Sequence, residues 1–201
     1  MSAVPQPYLT PEEYLSTERK AEYKSEYSDG EMYAMSGASR EHNRITVNLV
    51  RVIGNQLRGG PCEPFSGDMR VHIPYPWSYV YPDLVAVCGD AEFEDNVLDT
   101  LMNPILIVEV LSSSTERYDR GAKFGLYRRI ESLREYVLVS QDSPHIERFV
   151  KREEGWVLSD TEGLEAILRL DSVGCELPLS DIYDRVRFPT NPDGNSAPES
   201  D

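Results

Sequence analysis

The chain has 201 residues, with 35 acidic against 20 basic side chains, a formal charge of -15 and 40% hydrophobic content. A chain of this length can bury roughly two-thirds of its unfolded surface, enough to fold as one soluble domain without disulfides or a structural metal. The acid excess argues against wrapping long stretches of nucleic acid by bulk electrostatics, so any DNA contact has to be local.

In chain order, Thr10 before Pro11, Glu12 and Glu13 predicts a capped helix over Leu9–Tyr23 with proline in its first turn. Glu26-Tyr27-Ser28-Asp29-Gly30-Glu31-Met32-Tyr33 places an Asp-Gly turn between aromatic-bearing arms, a hairpin signal. Ser39 caps a second predicted helix over Arg40–Arg58, in which Ile45, Leu49, Val52, Ile53 and Leu57 recur at helical spacing before Gly59-Gly60-Pro61 stops it. Strand-like runs follow at Cys62–Phe65, Met69–Ile73 and Ser78–Cys88. Gly89–Thr100, with five acids and no base, reads as an exposed loop or short helix.

Pro104–Leu111 is apolar on both strand faces, as a central strand covered from both sides should be. A third helix is predicted over Glu116–Ile130, capped by Ser114 or Thr115. Further strands are predicted at Arg134–Ser140, His145–Lys151 and Trp156–Asp160. Residues 1–188 read as one domain and Pro189–Asp201, with three prolines, as a disordered acidic tail. The order of elements predicts an α/β or α+β layer architecture with one mixed sheet.

Cys62, Cys88 and Cys175 are odd in number and lack CxxC spacing, which argues against a secreted disulfide framework or a zinc knuckle and favours a reducing, cytoplasmic setting. No apolar run approaches the roughly 18 residues of a membrane span, and Met1–Tyr14 carries neither a basic cluster nor an apolar signal core. No membrane association is expected.

Three positions carry chemistry. Glu109 lies inside an apolar strand, where a carboxylate costs several kcal/mol unless a cation, a metal or donors compensate it. The competing account is a strand-end carboxylate paired with arginine. Asp83 follows Pro82 and opens the run Leu84-Val85-Ala86-Val87-Cys88; proline cannot donate to a ladder, so this is an edge or a bulge that re-aims the next side chain, or simply a turn.

At about 100° per residue, Tyr118, Ala122, Leu126 and Ile130 form the stripe facing the sheet, with Asp119 and Lys123 within or beside it and Phe124 and Gly121 opposite. The alternative is a snorkelling Lys123 paired with Asp119. Together the two acids and the lysine suit a hard-oxygen Mg²⁺ or Mn²⁺ site and phosphodiester hydrolysis.

The ordered set Tyr81-Pro82-Asp83, Ile107-Val108-Glu109-Val110-Leu111-Ser112 and Tyr118-Asp119-Arg120-Gly121-Ala122-Lys123 resembles the Uma-type family of putative restriction endonucleases in the PD-(D/E)xK nuclease superfamily. Ser28-Asp29-Gly30-Glu31 and Ser39-Arg40-Glu41-His42-Asn43 upstream belong to the same resemblance, which extends to about Val186. It implies a restriction-endonuclease-like core, a Mg²⁺-dependent endonuclease acting on DNA, and a homodimer.

It further implies that Asp83 and Glu109 hold the metal, with a backbone carbonyl near Val110 as third ligand. The general motif places its lysine two residues after the second acid, where Leu111 stands here, so the resemblance implies a lysine moved to the covering helix as Lys123. Glu31 and His42 match further family positions, as pocket lining or for a second metal. Against this stand a surface hairpin charge for Glu31 and helix-start packing for His42. Asp68 and Arg70 resemble a family segment too, and read only as a local pair.

Ser112-Ser113-Ser114 invites a serine nucleophile, yet no GxSxG elbow is present and a turn or capping role fits better. No HExxH or clustered His and Cys supports a zinc hydrolase, and His72 and His145 read as ordinary strand residues. The charge of -15 favours a second function class, a non-catalytic binding or assembly module using the hairpin arms. Thr115–Glu135, with six bases against four acids, supplies a local basic rim that answers this objection.

Overall fold

A computed structural model of the chain describes residues 8–189. Its first helix, α1 (Pro11–Glu18), opens on a reciprocal cap: the Thr10 side chain accepts from the Glu13 N–H while the Glu13 carboxylate accepts from the Thr10 N–H. It stops well before Tyr23, at Arg19, whose side chain is drawn to Asp95 and Asp99.

The hairpin forms as expected, β1 (Ser25–Ser28) against β2 (Glu31–Ala34), with Asp29 and Gly30 at φ 47° and 93°. Both turn residues lie in the left-handed region that a two-residue hairpin of this twist demands. Tyr14 stacks on Tyr27 and Tyr79 at centroid distances of 5.1 and 5.2 Å, clamping the hairpin to α1. The predicted stripe of α2 (Arg40–Leu57) is buried at all five positions, with Asn48 added because its amide donates to the carbonyls of Ile182 and Asp184.

The strands are β3 (Cys62–Ser66), β4 (Arg70–Pro74), β5 (Trp77–Val80), β6 (Leu84–Cys88), β7 (Thr100–Leu101), β8 (Leu106–Val110), β9 (Glu135–Val139), β10 (His145–Arg152), β11 (Gly155–Glu162), β12 (Ile167–Leu170) and β13 (Cys175–Pro178). They form a five-stranded sheet ordered β2-β1-β5-β4-β7, a six-stranded sheet ordered β11-β10-β9-β8-β6-β3 and a β12–β13 ribbon, which a short α5 (Leu179–Ile182) follows. The architecture is α+β, and in place of the expected single mixed sheet there are two larger sheets and a two-stranded ribbon.

The reason lies in the run read as one strand over Ser78–Cys88. It breaks at Tyr81-Pro82-Asp83, because Pro82 offers no N–H to a ladder, and the chain leaves one sheet there to enter the other. Arg70 holds the crossing. Its guanidinium donates to the Tyr81 hydroxyl at 3.0 Å and pairs with Asp99, while Asp68 pairs with Lys24, so Asp68 and Arg70 are not the local pair the sequence suggested.

β8 runs parallel to β9 and antiparallel to β6, and all five of its residues are buried. One face packs Leu106, Val108 and Val110 on α2, α5 and the ribbon; the other packs Ile107 with Val85, Tyr127 and Leu138 beneath the third helical segment. That segment is not one α-helix. A π-helical turn, Asp119–Lys123, joins α3 (Glu116–Tyr118) to α4 (Phe124–Tyr127). The wider turn lags the 100° step of an α-helix, so Phe124, expected on the outer face, comes round onto Tyr136 and Phe149. Asp119 and Lys123 keep the inward direction predicted for them and are buried.

The cysteine spacing argues against a disulfide framework, yet the register brings one pair together: Cys62 lies opposite Cys88 and their sulfurs are bonded, while Cys175 is buried and free. Among the described residues no helix is long and apolar enough to cross a membrane. Beyond its first residue, the predicted tail lies outside the described residues.

Candidate active site

Asp83 stands at the seam between the sheets. The β6–β8 register pairs Leu84 with Val108, and one step further sets Asp83 opposite Glu109. Opposed residues of an antiparallel pair project to the same face. Glu109 points towards the helical segment that carries Lys123, as its sequence context suggested, and Asp83 lies beside it, turned to the Val110 N–H and to His42 at the start of α2.

Close contacts join the groups. Lys123 Nζ lies 2.9 Å from Glu109 Oε1, 3.0 Å from Glu26 Oε1 and 3.9 Å from Asp119 Oδ1. The Tyr127 hydroxyl donates to Glu109 Oε1 at 2.6 Å. Asp83 Oδ2 accepts from the Val110 N–H at 2.7 Å and lies 3.2 Å from His42 Nε2. His42 is held at the start of α2, where its N–H caps onto Ser39.

Glu31 is not brought to the group. It is exposed on β2 and accepts from the Tyr33 hydroxyl at 2.5 Å, because its strand lies beyond β1 at the outer edge of the five-stranded sheet. The hairpin's contribution comes instead from Glu26, which also accepts from the Tyr81 N–H at 3.1 Å. Sequence reasoning missed it. The signal was an acid two residues before the turn residues' own arm ends, flanked by Tyr27 whose burial fixes the alternation.

Charge decides what the cluster can hold. Four carboxylates (Glu26, Asp83, Glu109, Asp119) surround one lysine and one histidine. Burial, with Asp83 and Asp119 nearby, pushes Glu109 up to about 8 despite Lys123. Burial likewise raises Asp119 against the pull of Lys123. For Lys123 burial works against the charge, but Glu109, Glu26 and Asp119 outweigh it and hold the ammonium well above its ordinary range. His42 is raised in the same way: burial opposes its charge, and the Asp83 carboxylate overcomes that.

The donor set fits a divalent cation. It consists of hard oxygens in negative excess, and Asp83 and Glu109 each spend one oxygen on the contacts above, leaving Oδ1 and Oε2 without a hydrogen bond among the described residues.

Ser112 accepts from the Thr115 N–H, the turn role expected for that serine run. His72 is buried between Trp77 and Tyr79, and His145 lies on β10.

Comparison with known proteins gives the chain's family and a similar fold. Residues 11–180 match the family described as "Uma2: Putative restriction endonuclease". The chain is 38% identical over 187 residues to the uncharacterized protein slr1290 of Synechocystis sp., covering 92% of this chain and 97% of that protein. It is 40% identical over 159 residues to the uncharacterized protein sll1609 of the same organism, covering 79% and 90%. Its fold is similar, at TM-score 0.70 and 16% identity over 86% of this chain and 96% of the other, to the crystal structure of a putative nuclease belonging to DUF820 from Anabaena variabilis. With residues 11–180 of 201 matched, the chain belongs to the Uma2 family of putative restriction endonucleases.

Proposed function

We propose that the protein is a metal-dependent endonuclease hydrolysing DNA phosphodiester bonds, with Asp83 and Glu109 as the ligands of Mg²⁺ or Mn²⁺. The observation that carries the reading is the meeting of Asp83, Glu109 and Lys123, from a sheet crossing, a buried strand and a π-helical turn, at one place. Family membership supports the same class of reaction.

A divalent cation bound there supplies positive charge against the phosphate and makes a water easier to deprotonate. Lys123, kept charged by its carboxylate neighbours, orients the attacking water and answers charge developing on the phosphate. Glu26 and Asp119 fix the ammonium from two further sides. His42 holds the Asp83 carboxylate, and the Val110 carbonyl is the third ligand in this reading. The basic residues Arg117, Arg128 and Arg129 on the same segment give phosphates a local approach that the overall charge does not. Cutting both strands of a duplex calls for two such sites, so the active form in this reading is a homodimer, seen by light scattering as two chains per particle.

Purified protein is expected to cleave plasmid DNA with Mg²⁺ or Mn²⁺ and not with EDTA, and Asp83→Asn to lower the rate by about 100-fold or more. Equal cleavage by wild type and Asp83→Asn would remove the proposal. A second reading, an assembly module retaining the nuclease fold, is favoured by the charge of -15 and by the exposed Met32, Tyr33 and Met35 of the hairpin region. It predicts no divalent-metal binding that depends on Asp83.

A further inference from the structure

A second group of ligand-type side chains stands on the same sheet face. The registers Glu109↔Leu138, Leu138↔Glu147 and Glu147↔Asp160 continue one transverse row from the Asp83–Glu109 end across β9, β10 and β11. Opposed residues share a face, and at the usual strand spacing Glu147 lies about 10 Å along the row from Glu109. The row therefore passes from the candidate active site, under the π-helical turn, to the β11 edge of the sheet.

Two residues before Glu147 on the same face, His145 lies opposite Glu162. Its Nε2 is 2.9 Å from Asp160 Oδ1 and 3.7 Å from Glu162 Oε1. One ligand atom each from His145, Glu147 and Asp160 falls within 4.8 Å of the other two. These are an imidazole nitrogen and two carboxylate oxygens converging from adjacent strands, a different donor set from the carboxylate pair Asp83 and Glu109.

The charges in this group do not balance on their own. Glu147 and Asp160 are directly opposed like charges, which destabilises a strand pair, and Glu162 adds a third carboxylate. Among the described residues, the guanidinium that reaches in is that of Arg120, from the π-helical turn. It contacts Glu147 at Oε2 and is shared with Glu116. A cation lying between the strands would relieve the repulsion, and the mixed nitrogen and oxygen donors set which cation. Mg²⁺ prefers oxygen and water, whereas imidazole with carboxylates suits Zn²⁺, Co²⁺ or Ni²⁺.

We infer that His145, Glu147 and Asp160 form a second metal site, for a divalent transition ion of the Zn²⁺ type, with Glu162 in reach as a fourth ligand. Binding replaces the His145–Asp160 hydrogen bond: the Nε2 proton leaves to solvent, and the freed Nε2 lone pair and the Asp160 oxygen both turn to the ion. Arg120 stays at Glu147 Oε2, orienting that side chain as outer partners of metal carboxylates do.

The site does not depend on the nuclease reading, and its test removes the first site. The full chain carrying Asp83→Asn is titrated with Zn²⁺ by calorimetry, beside the same chain carrying Asp83→Asn and His145→Ala. His145 is partly exposed, so its loss leaves the fold in place, checked by an unchanged far-ultraviolet dichroism and thermal midpoint. The expected result is one Zn²⁺ per Asp83→Asn chain and an affinity lowered at least about tenfold by His145→Ala. No Zn²⁺ uptake by the Asp83→Asn chain, or an affinity that His145→Ala leaves unchanged, would overturn the inference.

Discussion

Lys123→Met is expected to destabilise the protein by about 3–5 kcal/mol in metal-free buffer, the usual cost of removing one partner from a buried ion pair. The Lys123 side chain is buried among Glu109, Glu26 and Asp119, so the substitution leaves three carboxylates with no cation between them. For a domain of this size that corresponds to a fall of about 10 °C in thermal midpoint. Adding Glu109→Gln to Lys123→Met should recover part of the loss only above about pH 8, where the Glu109 carboxyl would otherwise be ionised with no cation beside it. A thermal scan of wild type, both single variants and the double variant gives the coupling directly. A loss below about 1 kcal/mol for Lys123→Met would mean that the ammonium is not the partner the geometry assigns. Cleavage should fall with it, by about 100-fold or more, and should not return in the double variant, since the charge facing the phosphate is still missing.

The second large effect is a stability that declines as pH rises in metal-free protein. Glu109 has its pKa pushed up to about 8, chiefly by burial, from an ordinary value of 4.5. A raised carboxyl pKa means that the folded state holds its proton more tightly than the unfolded state. That contribution is complete below about pH 4.5 and is lost progressively as pH rises to about 8. Asp119, raised by burial, acts in the same direction, as does His42, raised by Asp83 against its burial. Urea unfolding at pH 5, 7 and 9 in EDTA should therefore show decreasing stability, and Glu109→Gln should flatten the decline. Saturating Mg²⁺ should flatten it as well, since a cation takes the proton's place in balancing the acids. The same slope in wild type and Glu109→Gln would show that Glu109 does not titrate in this range.

How much of this was legible from the sequence follows from how local each cause is. The Thr10 cap, the Asp29-Gly30 turn and the apolar stripe of α2 are set by residues within a few positions of one another, and they stand where the pattern placed them. Glu109 was conspicuous because a charge in a continuous apolar run needs a partner, and Asp83 because Pro82 interrupts a ladder.

Other features depend on long-range pairing. Nothing near Tyr81 shows that the strands on either side of Pro82 join different sheets, since that is decided by β3, β4 and β8. The π-helical turn is likewise invisible to a 100° periodicity, although Asp119 and Lys123, near its ends, keep the direction that periodicity gave them. Glu26 reads as one more hairpin charge until Tyr27 is seen stacked in the core and Tyr81 seen folded against it. Glu31 carried the resemblance but lies at the outer strand of its sheet. The segment from β12 to α5 gave no reading because its strands are short and its partner, α2, is far away in sequence.

The most direct measurement of the central claim is an anomalous difference map from a crystal of the full chain soaked in Mn²⁺. The predicted result is a peak at the Asp83 and Glu109 carboxylates, beside the Val110 carbonyl, that is absent from Asp83→Asn crystals treated alike. An empty map at that place, with Mn²⁺ bound elsewhere or not at all, would contradict the assignment of these residues as the metal ligands of a nuclease.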